Sequence, residues 1–253
     1  MTPDTADYAG IDELEATERN LERYLRRKCG LIMSLLEGKQ IFEVGCGIGS
    51  FTRFLSEKGY RIFACDVSAR CLNKAKQRGI EATFVQLDIC DAKASTELSN
   101  RFDSVLMVTV LEHIQADDKA LLNAWSLLRN RGVLVVLVPA FKFLFSELDR
   151  ELGHYRRYSE SELKKKIRKA GFKVEYSRYW DLLGLVGWAL KCKLMKSTRV
   201  AQDLTNPLFD KIYDRWLSLE THIILPFGVN YIVKARKVKQ RSVDAPACRK
   251  IGF

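Results

Sequence analysis

The stretch Ile41-Phe42-Glu43-Val44-Gly45-Cys46-Gly47-Ile48-Gly49 decides the fold of this chain. It begins as an apolar run typical of a buried strand, passes through three alternating glycines and leads into a helical pattern from Ser50. Glycine permits a sharp bend and close approach of a ligand, and the first turn of the following helix presents free N–H groups. A dinucleotide-binding turn would place its third glycine where this chain has Ser50. The stretch therefore predicts a strand, a ligand-binding turn and a helix.

Two further acidic residues end the next two apolar runs. Asp66 closes the run 61–66, and Asp88 closes the run 84–88. Because the carboxyl ends of parallel strands meet at one edge of a sheet, Glu43, Asp66 and Asp88 are expected to lie together. A carboxylate there can accept both hydroxyls of a ribose or the exocyclic amine of an adenine.

Short apolar runs alternate with helical patterns through the first part of the chain, which predicts a parallel α/β sheet with right-handed crossovers. The predicted strands lie near 40–45, 61–65, 82–87, 103–109 and 132–138, with helices near 50–58, 68–78 and 117–129. One amphipathic helix is predicted over 11–36, a helix over 159–171, and strands at 172–178 and 228–235.

These patterns give the expected domain organisation. Residues 1–39 form an N-terminal helical segment and residues 40–236 the main domain. About fifty residues separate the last two strands, which is too many for a turn, so a helical insertion or lid is predicted at about 180–222. The basic stretch 237–253 is predicted to be a fraying tail.

Four segments in order resemble the motifs of class I S-adenosylmethionine-dependent methyltransferases. They are EVGCGIGSFTRFL for the first motif, CDVS for the ribose-binding strand end, LDICD for the adenine-side acid, and FDSVLMVTVLEHI for the fourth strand with its loop. The resemblance implies a doubly wound, Rossmann-like sheet that is mostly parallel with an antiparallel last strand, and S-adenosyl-L-methionine as cofactor. It implies cofactor-binding roles for Glu43, Gly45, Gly47, Gly49, Asp66, Val67, Asp88, Ile89 and Val108.

The segment LGHYRRYS at 152–159 is similar to one in a bacterial and archaeal methyltransferase subgroup that is sometimes joined to glycosyltransferases. It follows the fifth strand and is expected at the mouth of the cofactor crevice. Tyr155, Arg156, Arg157 and Tyr158 are therefore the candidate substrate-binding residues, with the two guanidiniums clamping an anionic group. The competing interpretation is that Arg157 and Tyr158 fasten the loop to the next helix. His113 and His154 are the candidate general bases, with packing or tethering as the alternative.

Composition narrows the function classes. The 253 residues are 47% hydrophobic and 29% charged, as in an ordinary globular protein. Seven cysteines form no C-x-x-C pair, so neither a disulfide framework nor a metal site is predicted. The net charge of +11 is uneven, with 20 Lys and Arg against 21 Asp and Glu in residues 1–150 and 22 against 10 in residues 151–253. The basic second part predicts an anionic partner, or else a solvated helix face.

The predicted acceptor is a small-molecule or lipid-linked compound with a negatively charged group. The alternative is an RNA-binding or RNA-modifying protein, although the base-methylating N-P-P-Y and Pro-Cys patterns are absent from the sequence. The acidic N-terminus and the short apolar runs predict a cytoplasmic protein. The apolar stretch 180–195, with lysines at its end, is predicted to be a lid, with peripheral contact to an anionic membrane surface as the alternative.

Overall fold

The computed structural model describes residues 11–91, 97–190 and 207–238, which form a mixed sheet flanked by helices. The strands are β1 (Gln40–Val44), β2 (Arg61–Asp66), β3 (Thr83–Gln86), β4 (Phe102–Val108), β5 (Leu128–Pro139), β6 (Phe172–Trp180) and β7 (Asn230–Lys237). The helices are α1 (Ile11–Asn20), α2 (Glu22–Met33), α3 (Ser50–Glu57), α4 (Ala69–Gln77), α5 (Asp117–Leu127), α6 (Glu147–Glu151), α7 (Glu160–Lys169), α8 (Leu182–Trp188) and α9 (Pro207–Glu220). Two short 3-10 turns lie at Leu111–His113 and Lys142–Leu144.

The described residues form a seven-stranded sheet in the order β3-β2-β1-β4-β5-β7-β6. The first five strands in that order pair in parallel, and β7 runs antiparallel between β5 and β6. The predicted Rossmann-like sheet with an antiparallel last strand is therefore confirmed. The strand order reverses between β1 and β4, and a crevice at the carboxyl ends of these strands is the usual ligand site in such sheets.

The central strands are buried on both faces, which explains why their sequences are continuously apolar. In β5, the segment from Val133 to Val138 has no exposed surface. One face packs against α5 and α7 through residues such as Leu121 and Leu163, and the other packs against α2, α3 and α9. The site edge is thus carried by a rigid two-sided core.

The single N-terminal helix predicted over 11–36 is wrong. Two helices replace it, and they meet at Leu21, whose φ of −127° leaves the helical region. The reason is that the apolar residues serve two surfaces. Ile11 on α1 packs with Ile48 and Cys71 beside the glycine turn, whereas α2 packs against α3 and α9.

The helical insertion was predicted to begin at Trp180, and the structure corrects this boundary. Trp180 is the last residue of β6, is fully buried and stacks on Tyr24 with ring centroids 5.3 Å apart. Helix α8 then follows with no buried residue. The lysines that suggested membrane contact, at 191, 193 and 196, lie outside the described residues. Within the described ranges, every helix is too short or too polar to cross a bilayer.

The basic tail was predicted to begin at Lys237, but this residue belongs to β7 and is buried. Its Nζ donates hydrogen bonds to the Leu128 carbonyl at 2.7 Å and to Asn100 Oδ1 at 3.0 Å. A lysine can end a strand in this way because buried acceptors satisfy its ammonium group. Residues 239–253 lie outside the described part of the chain.

Candidate active site

A cavity of about 870 Å³ lies at the carboxyl ends of the parallel strands. All three acids expected there line it, so Glu43, Asp66 and Asp88 converge on one hollow as the strand positions predict. The predicted site residues that line the cavity are Glu43, Gly45, Gly47, Asp66, Val67, Asp88, Ile89, Val108, His113 and Tyr155. The same cavity is therefore lined by the expected cofactor-binding residues and by His113 and Tyr155, which are expected near the acceptor.

The turn after β1 needs glycine for both conformation and space. Gly45 has φ +68°, and a Cβ there would lie 2.2 Å from a methyl carbon of Val110. Gly47 has φ +53° and lines the cavity. Gly49 is different because it lies outside the cavity lining, at the start of α3 with φ +81° and against Ala75 and Ile80. Its role in the fold is to begin the helix.

Glu43 is the most deeply buried of the three acids, with 4% of its surface exposed. Its Oε2 accepts a hydrogen bond from Thr52 Oγ1 at 2.7 Å. Burial raises the pKa of Glu43 to about 8, against the lowering effect of Thr52 and with a smaller raising effect from Asp66. A cationic group bound beside this buried carboxyl group would stabilise its ionised form.

Asp66 ties the end of β2 to the glycine turn. Its two carboxylate oxygens accept hydrogen bonds from the Gly47 N–H at 2.8 Å and the Ser68 N–H at 2.9 Å. Burial raises the pKa of Asp66 despite these donors. The adjoining Val67 is half exposed and lines the cavity.

Asp88 and Ile89 form the third part of the wall. Asp88 Oδ1 accepts a hydrogen bond from the Cys90 N–H at 2.8 Å, which sets the turn after β3. Ile89 is buried, and its carbonyl accepts a hydrogen bond from Asn123 on α5 at 2.7 Å. These bonds fix a carboxylate and an apolar side chain side by side at the cavity edge.

The donors and acceptors of this wall fit an adenosyl sulfonium amino acid. Three carboxylates line the cavity, and Lys28 is the one lysine among its described lining residues, so the set suits cationic and hydroxyl groups better than phosphates. Ser50 Oγ is buried at the cavity wall, and no described residue forms a hydrogen bond with it. An unpartnered hydroxyl at a ligand wall is satisfied when a ligand binds.

The N-terminal helices contribute to the cavity, which their sequence pattern did not indicate. Leu14 and Thr17 of α1 and Leu25 and Lys28 of α2 line it. Lys28 is 8% exposed, and burial lowers its pKa. The apolar periodicity of the segment predicted packing, and it hid a lysine that points into the site instead of solvent.

On the acceptor side, the structure brings His113 and Tyr155 to the cavity. Tyr155 is 55% exposed, and its N–H donates to the Glu112 carbonyl at 2.8 Å, which docks the 152–159 segment on the turn after β4. Burial, with a smaller effect of His154, lowers the pKa of His113 to about 4. His113 is therefore neutral at pH 7.

His154 and Arg157 do not line the cavity, and both contact the buried carboxylate of Asp149. His154 Nδ1 lies 2.8 Å from Asp149 Oδ1, and Arg157 Nε donates to both oxygens at 2.9 and 3.0 Å. Arg157 is 2% exposed, with its guanidinium 4.1 Å from the centre of the Trp188 ring. Arg157 is thus held away from the cavity, but by α6 and Trp188 and not by the helix after Ser159, to which the competing interpretation would have fastened it.

Tyr158 and Arg156 share a second acid, Asp117 on α5. The Tyr158 hydroxyl donates to Asp117 Oδ2 at 2.8 Å, and Arg156 Nη1 lies 2.9 Å from the same oxygen. Tyr158 is fully buried and Arg156 is partly exposed. The two arginines therefore face different carboxylates, and the structure does not bring them together as the predicted anion clamp.

Glu112 is a further residue that sequence analysis passed over. It is 1% exposed, and neither of its carboxylate oxygens has a hydrogen-bond partner in the part of the chain that the structure describes. Burial raises the pKa of Glu112 to about 7, against the lowering charges of His154, Lys28 and Arg157. Only the neighbouring histidine of the LEHI segment had drawn attention in the sequence.

The sheet order, the glycine turn and the three converging acids define the chain as a class I methyltransferase fold. Comparison with known proteins agrees. Residues 42–136 match the family described as a methyltransferase domain. The chain is 23% identical over 189 residues to a tRNA 5-carboxymethoxyuridine methyltransferase of Escherichia coli (strain K12), covering 72% of each chain. It is 26% identical over 206 residues to a ubiquinone biosynthesis O-methyltransferase of Leptothrix cholodnii, covering 80% of this chain and 79% of the relative.

Among solved structures, the fold is similar to that of magnesium protoporphyrin IX methyltransferase from Synechocystis PCC 6803 with bound SAH. The TM-score is 0.55 at 15% identity, over 88% of this chain and 86% of the other. The chain is an S-adenosylmethionine-dependent methyltransferase. Because the relatives act on different acceptors by name, the comparisons leave the acceptor to be argued from the site.

Proposed function

We propose that the chain transfers a methyl group from S-adenosylmethionine to a small-molecule acceptor that enters past His113 and Tyr155. The observation that carries this proposal is that one cavity of about 870 Å³ is lined both by the three acids and by these two residues. Its volume is in the range of small-molecule pockets. When bound, the cofactor supplies an electrophilic methyl group, so the chain must align the acceptor and exclude water.

Within this proposal, each part of the acidic wall holds a different part of the cofactor. Asp66 and the adjoining Val67 hold the ribose, and Asp88 with Ile89 holds the adenine. Glu43 and the Val108 backbone hold the ammonium group, beside the glycine turn. Lys28, buried on the same wall, holds the carboxylate, because a desolvated lysine gains from an anionic partner.

The acceptor end supports a mainly apolar compound. The described residues around His113 in the lining include Val110, Ile114 and Leu152. The negative group expected from the sequence has lost its support, because Arg156 and Arg157 are paired with Asp117 and Asp149. A general base with pKa of about 4 is weak at pH 7, so His113 contacts and orients the acceptor in this proposal. The predicted catalytic role of His154 stays a prediction.

The narrower subgroup and the domain limits also belong to this proposal. In the 152–159 segment, His154, Arg157 and Tyr158 each contact a buried acid. These structural contacts support the interpretation of the segment as a motif of the subgroup. We assign residues 40–236 to the methyltransferase domain, with an insertion from 182. Within the N-terminal segment 1–39, helices α1 and α2 contribute one wall of the cavity.

A labelling experiment tests the proposed acceptor class. The purified protein is incubated with S-adenosylmethionine carrying a labelled methyl group and a cell extract, and the products are separated into water-soluble, lipid-extractable and RNase-sensitive fractions. Label in a small molecule supports the proposal. Label that RNase releases would transfer the assignment to the RNA alternative, and a lipid product would identify a lipid-linked acceptor instead.

A Tyr155→Ala variant sharpens this test. Loss of the exposed ring at the acceptor end should raise the KM for the labelled acceptor at least about fivefold, by removing roughly 1 kcal/mol of apolar contact. The dissociation constant for the cofactor should be unchanged. Equal acceptor KM values for the variant and the wild type would contradict the proposed entry point.

A further inference from the structure

Three potential metal ligands converge behind the acceptor wall. Glu112, His113 and His154 each offer one ligand atom, and these atoms all lie within 4.8 Å of one another. Two come from the 3-10 turn after β4 and one from the segment after α6. The hydrogen bond from the Tyr155 N–H to the Glu112 carbonyl, 2.8 Å long, holds the two segments together.

Glu112 is the unusual member of this group. Its side chain is buried, and both carboxylate oxygens lack a hydrogen-bond partner among the described residues. A buried carboxylate without a partner is unfavourable unless a cation or a proton neutralises it. Other buried acids of this edge, Asp117 and Asp149, have two or more partners each. Glu112 thus lacks a partner in a region where its neighbours are satisfied.

His154 is oriented as a ligand histidine would be. Its Nδ1 lies 2.8 Å from Asp149 Oδ1, and Asp149 also accepts hydrogen bonds from Arg157 and Ser146. Since the carboxylate accepts, Nδ1 carries the proton and Nε2 presents its lone pair. A carboxylate behind a histidine is the usual support of a metal-binding imidazole. The His113 ring packs edge-on against it, with centroids 4.6 Å apart.

We propose that Glu112, His113 and His154 bind one divalent transition-metal ion, such as Zn²⁺. Two imidazoles and one carboxylate suit zinc, manganese or iron, and they leave further coordination positions open. Ligand atoms about 2.1 Å from a tetrahedral ion are about 3.4 Å apart, so atoms that lie within 4.8 Å of one another must approach by up to about 1.4 Å on binding. The ion lies beside the acceptor wall through His113. That it then takes an oxygen of the acceptor as a ligand rests on the proposed function.

Metal content tests this site without any measurement of activity. The full chain is treated with a chelator, equilibrated with Zn²⁺, passed through a desalting column and analysed by mass spectrometry. About one equivalent of zinc is expected, and Co²⁺ in its place should give a visible absorption band of a nitrogen and oxygen site. Wild-type protein that retains less than about a tenth of an equivalent would overturn the proposal.

Two variants locate the ion. Glu112→Gln keeps the size of the buried side chain and should weaken zinc binding by about 100-fold or more. The matched control is His222→Asn, which changes the third histidine of the chain, two residues after α9, and should bind zinc as the wild type does. Unchanged zinc affinity in Glu112→Gln would place the ion elsewhere and contradict the site.

Cofactor binding separates this inference from the proposed function. Wild type and both variants should bind S-adenosylhomocysteine with equal affinity in calorimetry, which also shows that they are folded. If the wild type binds S-adenosylhomocysteine and no zinc, the metal site alone is wrong. If it binds zinc but not S-adenosylhomocysteine, the proposed function is wrong and the metal site stands.

Discussion

The cofactor side and the acceptor side of the site edge each bury one acid almost completely, and their surroundings act on it in opposite ways. Glu43, on the cofactor side, is 4% exposed, and Asp149, on the acceptor side, is 0% exposed. Burial raises the pKa of Glu43 to about 8. Burial also acts to raise the pKa of Asp149, but His154 and Arg157 outweigh it, and the pKa is lowered. Glu43 is therefore available to an incoming cation, whereas Asp149 already has cationic partners.

This contrast extends to the other acids. Among the described residues, Glu43, Asp66 and Asp88 make no ion pair, and hydrogen bonds from a hydroxyl or the backbone hold them in place. Asp117 instead meets both Lys166 and Arg156. Removing the cation from a buried ion pair destabilises the fold, whereas a carboxylate without a cation is available for a ligand. Pairing therefore separates structural acids from binding acids.

The largest expected effect comes from breaking the paired half. Arg157→Met leaves Asp149 buried without its guanidinium, and the free energy of unfolding should fall by about 3–5 kcal/mol. Urea denaturation measures this loss. Arg150→Met is the control, because both side chains of the Arg150–Glu147 pair are 61% exposed and its removal should cost less than about 1 kcal/mol. A loss below about 1 kcal/mol for Arg157→Met would contradict the structural role of this arginine.

The next effect tests the unpaired half. Asp66→Asn removes a carboxylate proposed to hold the ribose and should weaken cofactor binding by about 1–3 kcal/mol, or roughly 5- to 150-fold in the dissociation constant. Calorimetry with S-adenosylhomocysteine gives the value. Asp118→Asn, whose side chain is 48% exposed on α5, is the control and should leave the affinity unchanged. Equal affinities for both variants would remove Asp66 from the cofactor site.

A third effect depends on pH. The pKa of Glu43 is about 8 in the folded chain against the ordinary glutamate value of 4.5, so the folded state keeps a proton that the unfolded state releases. Stability from this group is present below pH 4.5 and is lost as the pH rises toward 8. Relative to Glu43→Gln, the wild type should lose up to about 1.4 kcal/mol per pH unit in this window. If the difference in free energy of unfolding between the wild type and Glu43→Gln were the same at pH 5 and pH 7, the raised pKa would be contradicted.

The smallest effect separates two adjacent arginines. Arg156→Gln leaves Asp117 with Lys166 and the Tyr158 hydroxyl, each at 2.8 Å, so the free energy of unfolding should change by less than about 1 kcal/mol. An unchanged acceptor KM in the same variant would complete its removal from the substrate site. A KM increase of tenfold with intact stability would restore the predicted substrate role of Arg156.

The cofactor side of the site could be predicted from the sequence because the position of each residue along its own strand places it there. Glu43 and Asp66 lie at the carboxyl ends of β1 and β2, and Asp88 follows β3. Parallel strands bring these ends to one edge whatever the rest of the chain does. The sheet and its antiparallel last strand were predicted for the same reason, with the help of a family resemblance. The end of β6 was harder to predict, because Trp180 could belong either to the buried strand or to the following helix. Its apolar character did not distinguish the two, and the structure shows it buried at the end of β6.

The acceptor side depends on side-chain contacts that the spacing of residues in the sequence does not predict. Arg157 reaches Asp149 eight positions earlier because α6 and the following loop fold back, and Asp117 meets Lys166 from a separate helix. Glu112 could not be distinguished from a surface glutamate beside an apolar turn. Lys28 lay within an amphipathic pattern that spans two helices with different partners. In each case the identity of the neighbour, and not of the residue, determined its role.

Helix α1 covers one side of the cavity, yet ion pairs at the surface hold much of it. Glu15 pairs with Lys74, and Glu18 with Arg78, whose guanidinium also donates to the Ile48 carbonyl at 2.9 Å. Mobile ions screen such contacts, whereas they leave the apolar packing of α2 intact. Movement of α1 away from the cavity would break these ion pairs, and salt weakens them. The rate at which S-adenosylhomocysteine leaves and new cofactor binds should therefore rise with ionic strength.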